Sequence, residues 1–142
     1  MTESERRAAH QKEREVLFAS ETLVITVLQA LTGGAMFAAI AGAQNLVEIL
    51  GEWQFVIFLT TVDVALLASV LAAWGKHQYK KWDVKAASSA SEGDATETQK
   101  RARLSSFYLV AMRWSMGIAV TAVSIALIEL PVFAWLMTRS TE

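Results

Sequence analysis

The chain has 142 residues, 54 % of them hydrophobic, and a net charge of -1. With no cysteine, disulfides, thiolate metal sites, iron–sulfur clusters and thiol nucleophiles are excluded. A near-neutral chain offers no basic stripe to nucleic acid. Both histidines, His10 and His77, fall outside the apolar stretches, so a haem or metal cluster held by histidines at membrane depth is excluded too.

Residues 1–21 read as a charged helix. They carry five acids (Glu3, Glu5, Glu13, Glu15, Glu21) and four bases (Arg6, Arg7, Lys12, Arg14). Thr2 with Glu5 fits a capping box, and Glu3 precedes Arg7 by one helical turn. Ala41-Gly42-Ala43 resembles a signal cleavage site. However, the acidic flank and the length of the apolar run before it do not fit a signal peptide, so the segment is expected to be retained. Arg6-Arg7 lies too far from the apolar run for a twin-arginine signal.

Three apolar stretches follow. The first, Thr22 to Val47, carries no charge. The second, Trp53 to Gly75, carries only Asp63. The third, Leu104 to Thr138, carries Arg113 and Glu129. About 20 apolar residues suffice to cross a bilayer as a helix, so the fold class is all-α, an integral membrane protein with three transmembrane helices and a charged N-terminal helix. Spans are expected near 22–47, 53–75 and 107–135, within a membrane bundle over 22–138. The third span has two registers. From Phe107 to Ile128 it buries Arg113; from Trp114 to Trp135 it leaves Arg113 at the headgroups and draws Glu129 inward. Pro131 lacks an amide donor and restricts Leu130, so a kink or stop is expected there.

Lysine and arginine counts set the orientation. Four bases precede the first span. None lies between spans one and two, seven lie between spans two and three, and Arg139 alone lies in the tail at 139–142. The N-terminus and the long loop are therefore expected in the cytoplasm and the C-terminus outside, in a plasma or bacterial inner membrane. In the long loop, Trp74, Lys76, Tyr79, Lys80, Lys81 and Trp82 mix aromatics with bases and read as a lipid-headgroup anchor. Residues 83–103 read as a flexible linker, on the small polar run Ala86 to Gln99.

Small residues recur at four-residue spacing on each span: Ala30, Gly34, Ala38 and Gly42; Thr61, Ala65, Ser69 and Ala73; Ala111, Ser115 and Ala119. Membrane helices associate through close backbone approach, which small side chains permit. These ridges are expected to hold the protomer's own helices together; an interface between copies is the other reading. Asp63 and Arg113 both point away from their ridges at about 100° per residue. Asp63, Arg113, Thr60 and Glu129 form a candidate intramembrane polar site, because a charge facing lipid costs at least about 2.5–3.5 kcal/mol. Asp63 either pairs with Arg113, Gln29 or another subunit, or serves ion or proton passage. Glu129 and Glu48 read as interfacial carboxylates, and Gln29 and Thr32 as interhelical hydrogen-bonders. No residue pattern implies catalysis, a metal or a cofactor. The expected function is that of a non-enzymatic membrane subunit or homo-oligomer whose partners are the bilayer and other membrane chains. The alternative is an ion- or proton-conducting oligomer that uses Asp63.

Overall fold

The computed structural model describes residues 3–140, with side chains at 12, 15–133, 135 and 136. Thr2, the Glu3–Arg7 pair and the end of the tail at 141–142 lie outside what is described there. Four helices follow one another: α1 (Glu3–Ala41), α2 (Ala43–Leu50), α3 (Glu52–Ser91) and α4 (Ala95–Ser140). Three of them contain segments long and apolar enough to cross a membrane, at Glu15–Ala41, Glu52–Ser91 and Ala95–Phe133.

α3 and α4 form an antiparallel hairpin. Gly75 faces Met112, and seven residues away on each helix Ala68 packs with Ala119. α1 lies antiparallel on α3. Ile25 packs near Ala72, Leu28 near Ala68 and Ala39 near Phe58. The contact between α1 and α4 is slight, so α3 is the central helix.

Size sorts the side chains in the reverse of a water-soluble core. Ala65, Ser69, Ala72 and Ala119 are fully buried, and Met112 is the largest side chain buried to that degree. Leu23, Phe37, Leu67, Ile118 and Leu127 face outward. Where lipid surrounds a bundle, leucine gains nothing by turning inward. Small residues gain van der Waals contact by letting backbones approach.

Tryptophan marks two levels. Trp74 follows Trp53 by twenty-one residues, and Trp135 follows Trp114 by the same interval. All four are exposed. The hairpin register puts Trp53 beside the level of Trp135, and Trp74 beside that of Trp114. At about 1.5 Å per residue the two levels lie about 32 Å apart, close to the thickness of a hydrocarbon core. Tryptophan favours such boundaries. The Trp114–Trp135 interval on α4 therefore matches that thickness, as the Trp53–Trp74 interval does on α3.

The connections differ from the sequence expectation in three places. First, α1 ends at Ala41, not near 47. At Gly42 an added Cβ would come within 3.2 Å of the Ala38 carbonyl oxygen, and α2 follows. Leu50 of α2 is buried and Leu46 packs toward Ala39 and Phe58. Gly51, with φ of 82°, reverses the chain into α3.

Second, the stretch 83–103 is helical on both sides of a tight turn. α3 continues about 25 Å beyond Trp74, and α4 begins about 29 Å before Trp114. Gly93, with φ of 80°, ends α3, and the Asp94 carboxylate accepts from the Glu97 amide at 3.0 Å, capping α4. Ser89 is buried and bonds Arg101 Nη1 at 2.5 Å. Arg101 also donates to the Lys85 carbonyl oxygen at 3.2 Å and to Glu97 at 3.1 Å. Third, α4 runs through Pro131 without stopping.

Candidate functional site

The four residues of the expected polar site do not converge. By the register of the hairpin, Asp63 lies level with Ser124 on α4, midway between the two tryptophan levels. Arg113 lies one residue from the Trp114 level. The separation along the axis is about 16 Å, which no side-chain pair spans. Among the described residues Asp63 has no hydrogen-bond or ion-pair partner. It is exposed, on a face shared with Val56, Leu67 and Val70.

Thr60 and Thr61 turn elsewhere. Both line an open groove of about 910 Å³ between α3 and α4. Their hydroxyls donate within their own helix, Thr60 to the Val56 carbonyl at 2.7 Å and Thr61 to that of Ile57 at 2.9 Å. Thr121 does the same with Gly117 at 2.9 Å. With its hydroxyls bound to backbone, the groove is apolar except at the end where Arg113 stands. Glu129 is half-buried, and its Oε2 is shielded from solvent without a hydrogen-bond partner. Its position on α4 is about 9 Å inside the Trp135 level. Gln29 and Thr32 make no interhelical hydrogen bond; buried Thr32 donates to the Leu28 carbonyl of its own helix at 2.7 Å.

The ridges part company as well. Ala65 and Ser69 on α3 and Ala119 on α4 are buried between helices. Ala30, Gly34 and Ala38 on α1 are exposed. The bundle uses the other face of α1, through Ile25, Leu28, Thr32 and Ala39. A Cβ at Gly34 would meet nothing within 4 Å. Because Ala39 packs near Phe58 in an antiparallel pair, Gly34 lies at the depth of Asp63. A mid-depth carboxylate and an unfilled small-residue ridge therefore stand at one level, both outside the bundle.

At the Trp74 level the expected headgroup anchor divides. Lys80 and Lys81 are exposed, and Trp82 is partly so. Lys85 stands over the Trp82 ring at 4.8 Å. Lys76 instead turns inward and is only 8 % exposed. Its Nζ donates to the Phe18 carbonyl oxygen at 2.6 Å and to the Thr22 hydroxyl, and it sits 5.3 Å from the Phe18 ring centre. That ring stacks on Tyr79. Sequence reading missed this joint. The available signal was a lysine next to Gly75 on the small-residue side of α3, where an outward-facing base does not belong.

Among the described residues no group of three His, Asp or Glu side chains could hold a metal ion. No protein family, curated protein or solved structure matches the chain.

Proposed function

We propose that this chain is a non-enzymatic integral membrane protein that works by associating laterally with other membrane chains, as a homo-oligomer or as a subunit of a larger complex. The observation that carries this reading is the shared depth of Asp63 and Gly34 outside the bundle. A carboxylate facing lipid at mid-membrane costs at least about 2.5–3.5 kcal/mol. A ridge of Ala30, Gly34 and Ala38 is a surface on which another helix can approach closely. A neighbouring chain that covers these faces removes the cost and uses the ridge. The charge bias supports a cytoplasmic N-terminus and α3–α4 tip, with the C-terminus outside, as in a bacterial inner membrane. In that setting the charged start of α1 and the protruding hairpin share the cytoplasmic side.

The conduction alternative gains no support from the geometry. The hydroxyls of Thr60 and Thr61 are held by their own backbone, and Val56, Leu67 and Val70 lie exposed on the face of Asp63. A path lined this way is dry on either side of one acid.

Native mass spectrometry after gentle extraction tests the proposal. Wild type is expected as a complex. Gly34→Leu, at an exposed position where an added Cβ meets nothing within 4 Å, is expected to keep the fold and lose the complex. A wild-type monomer retained in native lipid, with Gly34→Leu indistinguishable from it, overturns the reading.

A further inference from the structure

The groove between α3 and α4 borders the face of Asp63 at Val56 but is lined by neither Asp63 nor Gly34, and it is not needed for the association proposed above. We infer that it is a binding site for one anionic phospholipid, with an acyl chain in the groove and the phosphate on Arg113.

Four observations converge on this occupant. The groove extends between the tryptophan levels, from Trp53 on α3 to Arg113 and Trp114 on α4. Along the α4 wall Thr121 spends its hydroxyl on its own backbone, and just beyond the end of that wall Thr60 and Thr61 do the same, so a hydrocarbon chain leaves no donor unsatisfied. From Arg113 to Ile125 the α4 wall rises about 18 Å, against about 15 Å for half of a hydrocarbon core. One leaflet's chain, entering at the Trp114 level, fits that wall. Finally, Arg113 has no hydrogen-bond or ion-pair partner among the described residues. It stands one residue from the level where phosphates sit. A guanidinium offers a planar fork that matches phosphate geometry, and a base near the headgroup level suits acidic lipid.

Gly117 shapes the floor. A Cβ there meets nothing within 4 Å. A larger residue would therefore start into the space assigned to the acyl chain.

The test reconstitutes the full chain into vesicles of equal phosphatidylglycerol and phosphatidylcholine, re-extracts it gently and counts retained lipids by native mass spectrometry. Wild type is expected to retain one phosphatidylglycerol per chain. Arg113→Gln should lower that retention roughly tenfold, the loss of one charge-assisted phosphate contact. Gly117→Leu should lower it similarly with Arg113 intact. Arg103→Gln removes the same charge from the same helix about 15 Å away and should leave retention unchanged. Equal retention of the two lipids overturns the inference. So does retention unaffected by both groove variants, or an equal loss in Arg103→Gln, which would mean diffuse attraction. A wild-type dimer without lipid that Gly117→Leu dissociates would assign the groove to a second copy instead. None of these outcomes depends on Gly34 or Asp63, so failure here leaves the association proposal standing.

Discussion

Lys76 on α3 donates to the carbonyl oxygen of Phe18 on α1, 2.6 Å away and fifty-eight residues earlier in the chain. A base at the membrane boundary ordinarily extends its ammonium toward water and headgroups. This one is buried and shared between a carbonyl, the Thr22 hydroxyl and an aromatic face. Together with the Phe18–Tyr79 stack it ties this end of α1 to the hairpin.

Lys76→Ala should therefore loosen α1 without unfolding the hairpin. Hydrogen bonds from a charged donor are worth about 1.5–3 kcal/mol, and the variant also loses the packed stem. Lys76→Met keeps most of the stem and isolates the ammonium's share. Lys80→Ala, whose ammonium only stands 5.7 Å from the Phe18 ring, should cost about 0.5–1 kcal/mol. Thermal unfolding in lipid nanodiscs, with hydrogen exchange read separately on α1 and α3, decides it. Equal effects at positions 76 and 80 would return Lys76 to a headgroup role.

The hairpin closes most tightly at Gly75. A Cβ there would lie 3.3 Å from the Met112 Cβ and 3.4 Å from its Cα, so a neighbour must yield. Gly75→Leu should destabilise by about 1–3 kcal/mol, the usual cost of overpacking. Gly33→Leu, with nothing within 4 Å, should be nearly silent in the same unfolding measurement. A reversed ranking would mean that α3 and α4 do not approach as described.

Asp63 and Arg113 should behave as independent sites. At about 16 Å along the axis they share no partner. Effects of substitutions that far apart usually add within about 0.3–0.5 kcal/mol. A double-mutant cycle on Asp63→Asn and Arg113→Gln, read by unfolding in nanodiscs, should return no coupling beyond that margin. A coupling of about 1 kcal/mol or more would show that the two charges meet.

What the sequence makes legible follows from length and composition. The three apolar stretches, and the tryptophans that bound two of them, are local signals and survive in α1, α3 and α4. Which way a ridge faces is not a local signal. Four-residue spacing places Ala30, Gly34 and Ala38 on one face, but only the docking of Ile25, Leu28 and Ala39 on α3 shows that this face is left outside. Depth is a relation between helices too. Arg113 and Asp63 could be separated only once Gly75 and Met112 had fixed the hairpin register. The stretch 83–103 failed for another reason. Alanine and serine suggest a linker by composition, yet alanine is the best helix former, and small side chains let two helices touch. The stop at Gly93 and the cap at Asp94 with Glu97 three residues into the helix were on the page as Glu92-Gly93-Asp94 and are helix-end signals.

That turn provides the last prediction. If α3 and α4 are joined by a capped turn, the trypsin sites at Lys85, Lys100, Arg101 and Arg103 lie in helix and should be cut slowly. Arg101 is further held by Ser89 and Glu97. Removing the cap with Asp94→Ala should cost about 0.5–2 kcal/mol locally. Cleavage through local opening follows the population of the open form, so the rate at these four sites should rise about two- to thirtyfold. Gly93→Ala forces a side chain into the left-handed region and should act in the same direction, at about 1–2 kcal/mol. Limited proteolysis of vesicles with this end exposed, timed by mass spectrometry, gives both rates. Rapid cutting of wild type at Lys100 and Arg101, unchanged by either substitution, would restore the flexible linker and remove the α3–α4 tip from the fold.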